Sequence, residues 1–243
     1  MADFPLPSNV GVIKRVAGSN PAANNEVSVT VPTATNEVQS ISGTPSATFA
    51  LTVDGTTGPV SLSTTATAQN VQDYLNAFPQ YSSGAGVVCT GGPLNSAITI
   101  TYSGTGVAGR NVSAPTVAGG VTGLTITTTT EGTNAKYWGL FSVSVSLAQG
   151  ATQTPWPCLV IDDGANIVFQ AFSGTAAMNV STTTQHTWAP GLAAFGAAAT
   201  TANMGPLPSG FALGPGWRVR TLTTGIGANT DYAAPSLFIC ELG

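Results

Sequence analysis

Charge is scarce in this chain. Its 243 residues hold six Lys+Arg and ten Asp+Glu, or 7% of the total. A soluble domain ordinarily carries about 25%. There is one histidine, and the formal net charge is −4. Without a basic excess there is no electrostatic footprint for a phosphate backbone, so no nucleic-acid partner is expected. Charge-rich disorder is excluded, because 42% of the residues are hydrophobic. Glu, Lys and Leu are too few for a long coiled coil. No run of about 18 apolar residues occurs, so neither a transmembrane helix nor a membrane partner is expected. The start, Met1-Ala-Asp-Phe-Pro-Leu-Pro-Ser8, lacks the basic region and apolar stretch of a secretory signal. Synthesis in a reducing cytosol is expected. The three cysteines, Cys89, Cys158 and Cys240, are odd in number and widely spaced. They suggest neither a disulfide framework nor a zinc site, and read as buried free thiols.

What is abundant is threonine, at 36 residues, with 29 glycines and 16 prolines. Period-two alternation recurs along the chain. It is visible in Val27–Val31, Phe49–Val53, Ile98–Tyr102, Leu124–Thr128 running on to Thr130, and Leu140–Leu147. Shorter runs are Cys158–Ile161, Asn166–Phe169, Trp217–Thr221 and Leu237–Cys240. Thr and Val suit a pleated, half-buried surface because their β-branched side chains are already restricted at χ1. Asp54-Gly55 is a hairpin-turn signal. One segment differs. Between Ala66 and Phe78, residues Ala68, Val71, Leu75 and Phe78 make a helical stripe, with Thr67 as N-cap and Pro79 as stop. A helix is predicted near 67–78. Ala193 to Ala202 is Ala-rich without a stripe and reads as a loop or irregular crossover.

Residues 36–133 hold only five charges, Glu37, Asp54, Asp73, Arg110 and Glu131, and the densest Thr/Gly tracts. All four tryptophans lie outside them. The strand ending at Val31-Pro32-Thr33 and the strand starting near Tyr137-Trp138 read as halves of one hairpin, split by an insertion. The expected organisation is a discontinuous host domain, 1–35 plus 134–243, and a guest, 36–133. Insertion at a loop tip cuts few contacts.

The candidate chemical sites each meet a competing structural reading. Gly104-Thr-Gly106-Val-Ala-Gly109 matches G-x-G-x-x-G, but no helix follows it, so a glycine-rich turn is expected and no cofactor. His186, in Thr184-Gln-His-Thr-Trp188, has no nucleophile signature nearby and reads as a strand-surface histidine. Asp162-Asp163-Gly164 reads as a hairpin tip, because neighbouring strand residues point to opposite faces and make poor acid–base partners. It also lacks the oxygen-ligand spacing of a calcium loop. No catalytic or metal-binding residue is assigned. Arg218 and Arg220 share one strand face, and Trp217, Val219 and Thr221 the other. These arginines either pair internally with a carboxylate such as Asp231 or Glu241, or contact a partner together with Trp217. Both readings stay open. Asn111-Val-Ser113 and Asn179-Val-Ser181 match the glycosylation triplet but carry no weight without a secretion signal.

Two resemblances follow. Segment 37–132 resembles a small module recurrent in phage virion proteins and large bacterial surface proteins. The match runs through Glu37-Val-Gln39, Ala47 to Val53, the Ala66–Leu75 helix, Val87 to Pro93, Ile98 to Gly104 and Thr127 to Gly132. The host segments are similar to small phage virion proteins with a β-sandwich or jelly-roll outline. The pieces are Asn25 to Pro32, Trp138 to Leu147, Leu159 to Gly164, Pro206 to Gly210 and Leu213 to Arg220. The implied fold is mainly β: a jelly-roll-like β-sandwich host with an inserted small α+β domain containing one helix. The implied role is a non-enzymatic virion structural protein, of capsid-decoration or head-fibre type, assembled in the host bacterial cytoplasm. Its expected partners are copies of itself and other virion proteins, foremost the major capsid protein. The alternatives are a tail or fibre component that recognises a host surface or glycan, and a particle-borne glycan hydrolase. The last would need two carboxylates about 5–10 Å apart.

Overall fold

The computed structural model describes residues 12–18, 26–58, 60–82, 86–148, 155–175, 177, 183–196, 202–225 and 231–242. The first eight residues and the Asn179-Val-Ser181 triplet lie outside the described residues. The chain is mainly β and divides into two compact units, Met1–Thr33 with Lys136–Gly243, and Ala34–Ala135. The expected boundaries, 36 and 133, differ from these by two residues at each end.

The discontinuous unit begins with β1 (Val12–Ala17) and β2 (Ser28–Thr30). The second unit supplies β3 (Val38–Gly43), β4 (Leu51–Val53), β5 (Thr56–Thr57), helix α1 (Ala68–Asn76), β6 (Val87–Gly91), β7 (Ile98–Tyr102), β8 (Thr116–Val117) and β9 (Leu124–Thr130). The first unit resumes with β10 (Tyr137–Ala148), β11 (Trp156–Asp162), β12 (Ile167–Phe172), β13 (Thr183–Pro190), β14 (Ala202–Leu207), β15 (Phe211–Leu213), β16 (Arg218–Thr224), β17 (Asp231–Tyr232) and β18 (Ser236–Leu242).

The discontinuous unit is a β-sandwich. One sheet runs β1-β18-β10-β13-β14, with β15 and β17 also pairing β10, and the other runs β12-β11-β16-β2. The period-two pattern does the sorting. On β10, Trp138, Leu140, Val143, Val145 and Leu147 face inward, with a register shift between Leu140 and Ser142. They meet Val27, Val29, Leu159, Ile161 and Val219 from the opposite sheet in one core. Each fully buried aliphatic side chain contributes roughly 1.5–3 kcal/mol. The β13–β14 pairing is parallel, so the connection between these strands crosses over instead of turning back.

The expected hairpin between β2 and β10 is not formed. β2 pairs with β16, while β10 lies between β18 and β13 in the other sheet. Between the two segments of this unit at the break, a backbone bond runs from Lys136 N–H to Pro32 C=O, at 3.0 Å. Splitting the chain between two strands removes the tight turn that forces neighbours to pair. The apolar face of β2 then decides, and Val27, Val29 and Val31 enter the core from the β16 side.

The inserted unit has sheets β6-β7-β3-β9 and β5-β4-β8 plus α1. Thr67 caps α1: its Oγ1 accepts from Asn70 N–H while Asn70 Oδ1 accepts from Thr67 N–H. This reciprocal arrangement satisfies donors that every helix start leaves free. Val71, Tyr74 and Leu75 are buried. Asp54 and Gly55 both have positive φ, 47° and 79°, as a two-residue hairpin turn between β4 and β5 requires. At the neck, Thr35 and Thr133 exchange backbone bonds at 3.0 and 2.9 Å.

Candidate partner-contact site

β11 and β16 are antiparallel neighbours, and their register sets Asp162 opposite Arg218 and Val160 opposite Arg220. Both arginines therefore reach the same carboxylate. Arg218 Nε–H donates to Asp162 Oδ1 and Arg220 Nε–H to Oδ2, each at 2.7 Å. Gly164 N–H adds a third bond to Oδ1 at 3.0 Å. The Asp162 side chain is 3% exposed, while those of Arg218 and Arg220 are 43% and 27% exposed. Burial opposes ionisation of Asp162. The bonds from Arg220, Arg218 and Gly164 outweigh it and hold the carboxyl below its ordinary range.

The internal partner of the arginines is thus Asp162, not Glu241, which pairs with Lys14 and Lys136. The Asp231 side chain lies outside the described residues. Asp162 lies in the β11–β12 hairpin, as expected, and supplies the internal carboxylate for which the sequence offers Asp231 and Glu241 as examples. The cross-strand register, invisible in sequence, brings it there. Asp163 turns to the other side and accepts from Ala165 and Asn166 N–H at the hairpin tip. Trp217 is on the opposite face from the arginines, half-buried and packed on the core edge-to-face with Phe211, centroids 6.4 Å apart. It does not join them at one site.

Two cations share one anion, so the cluster keeps one uncompensated positive charge. Each guanidinium spends its Nε on Asp162, and neither donates through Nη to a described residue. Paired, immobilised forks of this kind suit a carboxylate or another oxyanion. Among the described residues no group of three or more His, Cys, Asp and Glu could hold a metal ion.

His186 is not on the surface. It is fully buried, with Nδ1 2.6 Å from Ser173 Oγ and Nε2 without a hydrogen-bond partner among the described residues. Burial pushes its pKa down to about 4. Trp188, two residues on and equally buried, was the signal that this face of β13 points inward. Gly104 to Gly109 forms a tight turn, with Gly104 C=O accepting from Val107 and Ala108 N–H. All three cysteines are free; Cys89 and Cys158 are buried and Cys240 is half-buried.

Glu37 is a site residue that the sequence does not mark. It is 1% exposed and has no cation beside it. Its oxygens accept from Gly132 N–H at 2.8 Å, Gln39 Nε2 at 3.0 Å, Thr128 Oγ1 at 3.2 Å and Val112 N–H at 3.5 Å. Burial raises its pKa, and these donors together bring it below the ordinary 4.5. One carboxylate thereby ties the first strand of the inserted unit to its last residues. No protein-family model, curated protein or solved structure matches this chain.

Proposed function

We propose that this chain is a non-enzymatic structural protein of a phage virion, most simply a capsid decoration or head-fibre-like accessory protein. It binds copies of itself and the major capsid protein, and it is assembled in the cytoplasm of the host bacterium. The observation that carries the reading is the Arg218–Asp162–Arg220 cluster. It is a rigid, partly exposed donor pair with one spare positive charge, on a chain that has few charges to distribute. Such a pair serves recognition of an acidic side chain on a neighbour. Many weak copies on a lattice gain effective concentration from one another. The inserted unit, coated with threonine hydroxyls, fits a projecting module.

Mass spectrometry and cryo-EM of purified particles test this. Hundreds of copies on the shell are expected. A handful of copies at a vertex or tail would remove the decoration role and keep the virion role. Absence of the chain from the particle would overturn both.

A tail or fibre role in glycan recognition has one observation in its favour. A groove of about 400 Å³ between α1 and residues 60–63 is lined by Ser61, Ser63, Asn70, Asp73 and Tyr74, with Val60 and Leu62. Gln69 holds Asp73 at 2.7 Å and Thr67 holds Asn70, so its polar groups are ordered in advance. Silence of the isolated protein on a glycan array at high concentration would dispose of this reading.

A further inference from the structure

A sheet edge exposes a row of unpaired N–H and C=O groups, and proteins ordinarily shield it. The edges in this chain are shielded in several ways. On β14, Met204 exchanges two backbone bonds with Phe195, and Gly174 N–H also donates to its C=O. On β12, the Ala171 C=O accepts from the Trp188 indole of the facing sheet at 3.0 Å. β1 carries Lys14 and Arg15, a charged edge that repels its own copy. β2 has three residues, and β5 and β8 have two each.

Within the inserted unit the two ends of one sheet are treated oppositely. The β6 edge is plugged by the helix. Asn76 of α1 behaves as a missing strand: its Nδ2 donates to Val87 C=O and its Oδ1 accepts from Val87 N–H, both at 3.0 Å. Gln72, one turn earlier, accepts from Cys89 N–H at 2.9 Å. At the other end, β9 has no equivalent among the described residues. Five of its seven residues are exposed. Among the described residues, every hydrogen bond of β9 runs inward to β3 or Glu37. The strand reads Leu-Thr-Ile-Thr-Thr-Thr-Thr, without charge or proline. Its one irregularity, at Thr129, sits at the C-terminal end and leaves Leu124–Thr128 in regular register.

We infer that the free edge of β9 is a self-association seam, on which β9 of a second copy pairs antiparallel about a twofold centred near Ile126. The charge pattern selects this occupant and this direction. An uncharged strand meets its own copy without repulsion, which β1 cannot do. An antiparallel pair centred on Ile126 sets Thr125 across from the partner's Thr127, and places the two copies of Glu131 at opposite ends of the seam. A parallel pair would set those carboxylates side by side. Cross-strand Thr–Thr pairs are favourable and like charges directly opposite are not. The resulting sheet has eight strands. A seam this short falls at the small end of specific interfaces, so the pairing is weak and gains strength by repetition. The inference concerns the free chain in solution and stands whether or not the virion reading does.

Sedimentation velocity on the full chain, across micromolar concentrations, provides the test. The native chain is expected to show a concentration-dependent monomer–dimer equilibrium. Joint Thr125→Lys and Thr127→Lys substitution sets like charges across the seam and should weaken the dimer at least about tenfold. Joint Thr125→Glu and Thr127→Glu substitution should do the same, and mixing the two variants should restore a heterodimer. Restoration also shows that both variants are folded. A native chain that stays monomeric, a dimer indifferent to the lysines, or a mixture that does not reassociate would overturn the inference.

Discussion

Among the described residues the two units each bury one carboxylate, and they compensate it by different means. Glu37, in the inserted unit, is surrounded by N–H and O–H dipoles and has no cation. Asp162, in the sandwich, is held by two arginines. Both carboxyls titrate below their ordinary values, although burial pushes each upward. Dipole compensation closes a site, because every donor is used locally and nothing is left over. Cation compensation with two arginines leaves charge and donors to spare at the surface. The difference explains why a residue central to folding can be useless for binding, whereas a similar residue elsewhere prepares a surface for a partner.

The largest effect is expected at the dipole-bound carboxylate. Glu37→Ala strands the buried donors of Gly132 and Gln39, each costing about 1–3 kcal/mol when unpaired. After relaxation, a loss of about 3–4 kcal/mol in urea unfolding is expected, with faster hydrogen exchange at Gly132. Glu37→Gln keeps the shape but turns an amide N–H₂ toward other donors, and should cost about half as much. A change under about 1 kcal/mol for Glu37→Ala would break the comparison at its root.

Acid unfolding comes next, and one other group must be separated from it. His186 has its pKa lowered from 6.5 to about 4. Below pH 6.5 the unfolded chain takes up a proton that the folded chain refuses until about pH 4. Stability therefore falls as pH drops through that window, by about 3 kcal/mol in total. The carboxylates act lower. Their folded pKa values lie below 4.5 for Glu37 and 3.8 for Asp162, so their contribution is complete above those values and is lost as pH falls beneath them. His186→Gln, followed by unfolding against pH, should flatten the upper window and leave the lower limb. An unchanged slope between pH 6.5 and 4 would mean that His186 is protonated in the fold.

These assignments also show what could be read in advance. Strands such as Ile98–Tyr102 and Leu124–Thr130 announce themselves because alternation is local. The helix does too, since Thr67, its apolar stripe and Pro79 fall within one segment. The sites did not. Arg218 and Arg220 were visible as a same-face pair, but Asp162 lies 56 residues from Arg218 and meets it only through strand register. Glu37 bonds Gly132 across 95 residues, and a glutamate amid threonines carries no local mark of burial. His186 lies inside instead of on the strand surface: alternation identifies two faces without saying which is inside, and Trp188 on the same face decides it.

A moderate effect is expected at the cation-bound carboxylate. Removing one partner of a fully buried ion pair costs about 3–5 kcal/mol. Arg218 and Arg220 are partly exposed, so water takes over much of their compensation. Asp162→Asn should cost about 1–2 kcal/mol, less than Glu37→Ala by the same measurement. A larger loss at Asp162 than at Glu37 would reverse the ranking of the two devices.

The smallest effect distinguishes them most directly. Arg218→Gln removes one of two cations from an already satisfied carboxylate and should cost about 0.5–1 kcal/mol. That cost depends on Coulomb attraction between partly exposed charges, so it should shrink as salt shortens the Debye length from about 10 Å at 0.1 M to about 3 Å at 1 M. The cost of Glu37→Gln should hardly move with salt, because hydrogen-bonding dipoles within a buried site are not screened by mobile ions. Urea unfolding of both variants and the native chain at the two salt concentrations yields four differences. If the two costs fall in parallel as salt rises, Glu37 is sensing a cation after all, and the contrast between the units collapses. If only the Arg218→Gln cost falls, the arginine pair is the salt-sensitive element. The same salt range should then weaken any partner bound through it.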